Sequence, residues 1–153
     1  MVSEPKLRVF LDSNVIFSGL YSAGGAPGII LERFIEGRLM VVVSQQVLDE
    51  VIRTIKEKLP EALPALRKLL VNAPPEIWKD PIPEEVKRWS GLLDVGDAVV
   101  LAAAVAAQPD YFVTGDRHFT ENPNIAEKAD LQIVTPAQFI EAWGREEGHD
   151  ERG

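Results

Sequence analysis

The sequence predicts an α/β fold in three layers, α/β/α, with a central, mostly parallel sheet covered by helices on both faces. The first observation behind this prediction is that short apolar segments of strand length alternate with longer segments of helical spacing. The second is that no internal repeat, low-complexity segment or linker interrupts this alternation. The third is that 153 residues with 46% hydrophobic content suit one domain with its own core.

The predicted strands are short apolar segments bounded by polar residues. The first of them, Val9-Phe10-Leu11, is followed at once by Asp12, Ser13 and Asn14, which are typical of a strand that gives way to a helix. Four strands are predicted at 7–11, 40–43, 111–114 and 131–134, and a short additional strand at 76–79.

The predicted helices have apolar residues three and four positions apart and recognisable end signals. Ser44 is typical of an N-cap, Gly37 of a helix end and Pro83 of a first helical turn. Helices are predicted at 15–20, 28–37, 45–59, 63–71, 83–90, 96–107 and 136–143. We expect one domain over 1–144 and a disordered, charged tail over 145–153.

Composition excludes several classes of site. The chain has no cysteine, which excludes disulfides and thiolate metal sites, and its two histidines are too few for a histidine-rich zinc centre. The N-terminal residues lack the pattern of a signal peptide, and the longest apolar run, 98–107, is too short to span a bilayer. We therefore expect a soluble cytoplasmic protein without a membrane partner.

The formal net charge of −8 argues against an extended basic face for nucleic acid. Carboxylates gathered in one pocket contribute to this total, however, and a bound divalent metal would neutralise them. A small basic cluster can also persist on an acidic protein. The residues considered for such a cluster are Lys56, Lys58, Arg67, Lys68 and Arg117.

Acidic residues recur where the predicted strands end and the following helices begin. Asp12 follows the first strand, Asp116 follows the strand at 111–114, and Asp97 opens the alanine-rich helix. Glu50 lies in the helix after the second strand. Each acid alone is explained by helix capping, a turn or a solvated position. Their recurrence near the carboxyl edge of a parallel sheet, where ligands bind in such folds, favours a shared site.

The chain contains, in this order, the segments VFLDSNVI, VLDEV, GDAVVLAAAV and VTGDRHF. In sequence and order they resemble segments of PIN domains, a family of small Mg²⁺- or Mn²⁺-dependent ribonucleases that includes toxins of prokaryotic toxin–antitoxin pairs. The resemblance extends over about residues 7 to 140. It implies that Asp12, Glu50, Asp97 and Asp116 form the catalytic, metal-binding quartet of the family. Asn14 and Thr114 match the polar positions that orient it. Asp94, one helical turn before Asp97, is a second candidate for the role of Asp97.

The resemblance further implies Mg²⁺ or Mn²⁺ as cofactor, RNA as substrate and, if the chain is a toxin, an antitoxin protein as partner. A metal held by a few carboxylates and water would suffice for phosphodiester hydrolysis. His118 is considered as a base near the site, and it is interpreted as an exposed loop residue. The competing hypothesis is a catalytically idle PIN-like module that binds a partner protein.

We also expect a homodimer. The helices predicted over 45–71 carry more apolar side chains than a small sheet would cover, and such surfaces often mark an interface. The residues in question are Leu59, Leu63, Leu66 and Leu70.

Overall fold

The structure, a computed structural model, describes residues 6–152, with side chains up to residue 144. Five strands form one parallel sheet in the order β3-β2-β1-β4-β5. The strands are β1 (Arg8–Leu11), β2 (Met40–Ser44), β3 (Glu76–Trp78), β4 (Tyr111–Val113) and β5 (Ile133–Val134). The predicted three-layer α/β/α architecture with a mostly parallel sheet is confirmed.

Helices follow the strands and cover the sheet. Ser44 caps α3 by accepting a hydrogen bond from the Val47 N–H, as its sequence position predicts. The helices are α1 (Ser13–Tyr21), α2 (Ala26–Ile35), α3 (Gln45–Lys58), α4 (Leu63–Asn72), α5 (Pro83–Lys87), α6 (Val95–Ala107), α7 (Arg117–Thr120), α8 (Pro123–Ala129) and α9 (Pro136–Arg152). A 3₁₀ turn, Pro60–Ala62, joins α3 to α4.

The central strand β1 lies between β2 and β4, and this position sets the location of the site. In register, Leu11 pairs with Val113, so the next residues, Asp12 and Thr114, are neighbours at the carboxyl edge. The Asp12 N–H donates to the Val113 carbonyl at 3.1 Å, which ties the end of β1 to the end of β4.

The core explains why the central strands are almost continuously apolar. Val9, Phe10 and Leu11 have no exposed surface, and Phe10 meets Phe112 edge to face at 5.4 Å between ring centres. Helix α6 is buried along much of its length through small side chains such as Ala98 and Ala104. Small residues allow α6 to pack closely, which brings its first turn to the sheet edge.

Two short helices between β4 and β5 were not predicted. Asp116 caps α7, and Pro123 stands in the first turn of α8. Helix α9 also continues to Arg152, past its predicted end near Trp143. Glutamate and arginine are good helix formers, and each glycine within a helix costs only about 1 kcal/mol, so Gly144 and Gly148 do not end it. The side chains of the tail predicted to be disordered, 145–153, lie outside the described residues.

The leucines that suggested a dimer interface pack within the domain. Leu66 is 2% exposed, and Leu59, Leu63 and Leu70 pack partly buried against the core. The inference of an uncovered apolar surface from these residues is therefore wrong, and the homodimer stays a prediction without that support. Within residues 6–152, no single helix is long and apolar enough to cross a membrane; α1 and α2 reach that length and composition only together, bent by 91°.

Candidate active site

Asp12 occupies the junction between β1 and α1 and forms hydrogen bonds through both carboxylate oxygens. Its Oδ1 accepts from the Ser13 N–H at 2.8 Å, which makes it the N-cap of α1. Its Oδ2 accepts from the Thr114 hydroxyl at 2.8 Å and from Asn14 Nδ2 at 3.3 Å. Capping therefore uses one oxygen of the carboxylate, and the other oxygen turns toward β4.

The pKa of Asp12 is raised from 3.8 to about 6. Burial is the largest cause, because Asp12 is only 6% exposed and burial disfavours a charged carboxylate. The hydrogen bonds from Thr114 and Ser13 oppose this rise, whereas the negative charges of Glu50 and Asp116 add to it. Asp12 is thus close enough to both acids to be destabilised by their charge.

Thr114 and Asn14 connect Asp12 to the loop that carries Asp116. The Thr114 hydroxyl donates to Asp12 and accepts from the Asp116 N–H at 3.0 Å. Asn14 Oδ1 accepts from the Gly115 N–H at 2.9 Å. A Cβ at Gly115 would lie 3.3 Å from Asn14 Oδ1, a tight contact that glycine avoids. These bonds fix the ends of β1 and β4 relative to each other.

Asp97, Asp116 and His118 converge beside this junction. Asp94 caps α6 by accepting from the Asp97 N–H at 2.9 Å, and Asp97 lies in the first helical turn. Asp97 Oδ2 is 3.1 Å from His118 Nδ1, and Asp116 Oδ1 is 3.3 Å from the same nitrogen. One potential ligand atom from each of Asp97, Asp116 and His118 lies within 4.8 Å of the other two.

Neighbouring negative charges also raise the pKa values of Asp97 and His118. The pKa of Asp97 is raised by burial first and then by Asp116 and Asp94, and its contact with His118 only partly opposes the rise. The pKa of His118 is raised by its hydrogen bond to Asp97 and by the surrounding acids. Asp97 and His118 are partners, yet both pKa values rise, because burial and neighbouring acids outweigh the imidazole at Asp97.

Glu50 approaches the site from α3 and is distinguished from its acidic neighbour Asp49. Glu50 is half-buried, and its negative charge raises the pKa of Asp12. Asp49 is exposed and accepts a hydrogen bond from Gln45 Nε2 at 2.9 Å, one turn earlier on the same helix. The structure thus separates two adjacent acids that the sequence leaves equivalent.

Asp116 links the two groups of acids, since it raises the pKa of both Asp12 and Asp97. Electrostatic interactions therefore connect the four acids of the predicted quartet in sequence, from Glu50 to Asp12, from Asp12 to Asp116 and from Asp116 to Asp97. The donors offered are carboxylate oxygens with one imidazole nitrogen. Such an oxygen-rich set fits Mg²⁺ or Mn²⁺, which bind mainly carboxylates and water.

An open cleft of about 570 Å³ lies against the Asp97 side of this site. Its lining includes Asp94, Asp97, Arg117 and His118, together with the loop 90–93 before α6. Among the basic residues considered from sequence, Arg117 belongs to this lining. The cleft gives an extended ligand access to Asp97 and His118.

His118 was interpreted from sequence as an exposed loop residue. It is exposed, but it lies in α7 and contacts two of the acids. The signal in the sequence is its place two residues after Asp116: a capping aspartate accepts the N–H of the second helical residue, and here the His118 N–H donates to Asp116 Oδ1 at 2.8 Å. The contact with Asp97 depends on the packing of α6.

Comparisons with known proteins identify a matching family model and solved structures of similar fold. The family model of the PIN domain matches residues 8–118. VapBC2 from Rickettsia felis, solved bound to a DNA fragment from its promoter, is 17% identical with a TM-score of 0.58, over 84% of this chain and 98% of that chain. PAE2754 from Pyrobaculum aerophilum is 20% identical with a TM-score of 0.57, over 84% and 83%.

A third similar structure is VapC20 from Mycobacterium tuberculosis, described as a sarcin-ricin loop cleaving toxin. It is 17% identical with a TM-score of 0.54, over 74% of this chain and 93% of that chain. At these identities the three structures show a shared fold. No curated protein matches the sequence.

Proposed function

The chain belongs to the PIN domain family, and from this premise we propose that it is a metal-dependent endoribonuclease that hydrolyses phosphodiester bonds of single-stranded or structured RNA. The observation that carries the proposal is the position of Asp116, which interacts electrostatically with Asp12 on one side and Asp97 on the other. The carboxyl edge of the sheet, where Asp12 and the loop of Asp116 adjoin, is also where α/β folds bind ligands, which supports the proposal.

The proposed catalytic and metal-binding residues are Asp12, Glu50, Asp97 and Asp116, with Mg²⁺ or Mn²⁺ as the metal. When bound, such an ion would polarise the phosphodiester, lower the pKa of an attacking water and stabilise the leaving oxygen. The raised pKa values of Asp12 and Asp97 support this assignment, because clustered carboxylates without a cation are unfavourable and a divalent ion would relieve their repulsion.

The supporting residues would hold the quartet in place. Thr114 and Asn14 each donate to Asp12 Oδ2, which leaves the orientation of that carboxylate defined by three hydrogen bonds. Thr114 also accepts from the Asp116 backbone, so one hydroxyl sets the relative position of two acids. A preorganised site of this kind requires little rearrangement when charge develops during reaction. Asp94 acts through its cap on α6, which positions Asp97.

We propose further that the protein is the toxin of a toxin–antitoxin pair, in the cytoplasm, with an antitoxin protein as partner. The similar fold of VapBC2 and of a toxin that cleaves the sarcin-ricin loop supports this assignment. A homodimer is included in the proposal and is tested by sedimentation at micromolar concentration, where a species of 16.9 kDa alone would contradict it.

The activity is tested with purified wild-type protein on a labelled single-stranded RNA and on DNA of the same sequence. We expect internal cleavage of the RNA with Mg²⁺ or Mn²⁺, and no cleavage with excess chelator. Slow or absent cleavage of the DNA would support RNA as the substrate class. Absence of RNA cleavage with either metal would contradict the proposal.

The net charge of −8 favours a second candidate, a catalytically idle module that binds a partner protein. Metal binding distinguishes the two candidates. An ion that binds only the folded state raises the melting temperature in a concentration-dependent way. The nuclease should show this rise in millimolar Mn²⁺, and an idle module should not.

A further inference from the structure

We propose that His118 is an additional ligand of the metal, through Nδ1, and that this nitrogen donor shifts the preference of the site from Mg²⁺ toward transition-metal ions. The inference rests on the proposed metal site and adds a residue and a metal selectivity to it. It is carried by the position of the imidazole between Asp97 and Asp116.

The distances suit a shared ion. His118 Nδ1 lies 3.1 Å from Asp97 Oδ2 and 3.3 Å from Asp116 Oδ1. Ligands at about 2.1 Å from an octahedral ion are about 3 Å apart when they occupy adjacent positions. Nδ1 is therefore nearly as far from each of the two carboxylate oxygens as adjacent ligands are from each other, and the ligand atoms of all three residues lie within 4.8 Å of one another.

The capped backbone at the start of α7 holds the His118 ring in this position. Asp116 caps α7, and its Oδ1 accepts the His118 N–H at 2.8 Å. The side chain of His118 is 70% exposed, so core packing does not account for its orientation toward the two carboxylates. The neighbouring Arg117, which cannot ligate a cation, has its Nε 3.8 Å from Glu121. The residue that can ligate a metal is thus the one directed at the acids.

An imidazole changes which ions the site prefers. Mg²⁺ binds oxygen donors and keeps its waters, so a nitrogen donor adds little to its affinity. Affinity for mixed nitrogen and oxygen sites rises from Mn²⁺ through Co²⁺ to Ni²⁺, and imidazole is a good ligand for the later ions. A site with His118 as ligand should therefore discriminate against Mg²⁺ more strongly than one with carboxylates alone.

The chain offers a simple direct test, because it contains only two histidines, His118 and His149. Tag-free protein is loaded with Mn²⁺, and electron spin echo modulation detects nitrogen bonded to the ion. We expect a nitrogen signal in the wild type and in the control His149→Asn, and its loss in His118→Asn. The replacement is exposed and retains a polar group near the Nδ1 position, so we expect the fold to be kept.

Calorimetry with Ni²⁺ and with Mg²⁺ measures the selectivity of the same proteins at alkaline pH. In His118→Asn the affinity for Ni²⁺ should fall about tenfold or more. The affinity for Mg²⁺ should change less than about threefold, since an amide oxygen replaces the nitrogen.

The outcomes separate this inference from the proposed function. Mn²⁺ binding without a nitrogen signal, or equal loss of Ni²⁺ and Mg²⁺ affinity in His118→Asn, would overturn the role of His118 and leave the carboxylate site intact. Wild-type protein that binds none of these ions would overturn both.

Discussion

The hydroxyl of Thr114 donates a 2.8 Å hydrogen bond to Asp12 Oδ2 across the ends of two neighbouring strands. Both residues are buried, and the same hydroxyl accepts from the Asp116 N–H. One oxygen atom therefore connects the start of α1 to the loop after β4.

Thr114→Val removes this connection while keeping the shape of the side chain. The Asp116 N–H loses its acceptor and Asp12 loses a donor, so we expect the free energy of unfolding to fall by about 1–3 kcal/mol in denaturant titrations at neutral pH. The pKa of Asp12, followed by carboxyl NMR, should rise further, because a hydrogen bond that lowers it is gone. Thr114→Ser is the control, and it should keep the Asp12 pKa near the wild-type value. An unchanged pKa in Thr114→Val would contradict the bridging role.

The stability of the metal-free protein should fall as pH rises between about 4 and 6 through Asp12. Its folded pKa lies above the ordinary value, so the folded state binds more protons in this window and loses free energy as they dissociate. The shift in the Asp12 pKa corresponds to roughly 3 kcal/mol in the free energy of unfolding. Structural relaxation around the charged carboxylate would reduce this contribution. Glu50 and Asp116 are the acids that face Asp12 and add to the shift.

Asp12→Asn isolates this contribution. Its amide is neutral at every pH and resembles the protonated carboxyl that the wild type carries at low pH, so the two proteins should differ little there. The variant should gain stability relative to the wild type above about pH 6, where the wild type carries a buried charge. Urea unfolding of the two proteins across this range measures the difference, and a difference independent of pH would contradict the raised pKa.

Glu50→Gln should weaken metal binding, whereas Asp49→Asn should not. The two acids are adjacent on α3, but Glu50 interacts with Asp12 and Asp49 pairs with Gln45. We expect the Mn²⁺-induced rise in melting temperature to fall in Glu50→Gln at a given metal concentration and to match the wild type in Asp49→Asn. Equal losses in both variants would indicate an effect of net charge and not of ligation.

Arg117→Glu should weaken RNA binding more than Lys56→Glu. Arg117 lines the cleft beside Asp97 and His118. Lys56 lies in the last turn of α3, about 16 Å along the axis from the first residue of that helix, which adjoins the sheet edge. Both variants change the net charge by the same amount, so filter binding at several salt concentrations compares only the positions of the two residues. The dependence of RNA affinity on salt concentration should become less steep in Arg117→Glu. Equal effects of the two substitutions would indicate that RNA binds outside this cleft.

The sequence predicts the sheet well because its central strands are buried on both faces. The second strand contains three consecutive buried residues, Val41, Val42 and Val43. A strand covered on both faces needs such an uninterrupted apolar run, whereas a helix with one buried face does not. The acids Asp12 and Asp116 were found because each directly follows such a run or its turn. Strand order and register, by contrast, depend on tertiary pairing, which local sequence patterns do not specify.

The parts that sequence did not predict are short or depend on packing. Helix α7 has four residues, and its single buried anchor, Phe119, gives no periodicity to detect. The contact of His118 with Asp97 joins residues 21 positions apart and requires the first turn of α6 to lie beside α7. The choice of Glu50 over Asp49 likewise depends on which face of α3 meets the sheet. Residue patterns within a single segment of the sequence do not reveal these contacts between segments.

The most direct test of the central claim is the rate at which Asp12→Asn cleaves single-stranded RNA in Mn²⁺, compared with wild type and with Asp49→Asn. If Asp12 is a metal ligand as well as a cap, its loss should lower the rate on the order of a hundredfold or more, while Asp49→Asn should cleave like the wild type. The circular dichroism of both variants should show retained fold. Cleavage by Asp12→Asn at the wild-type rate would show that Asp12 serves α1 alone and would contradict the nuclease site.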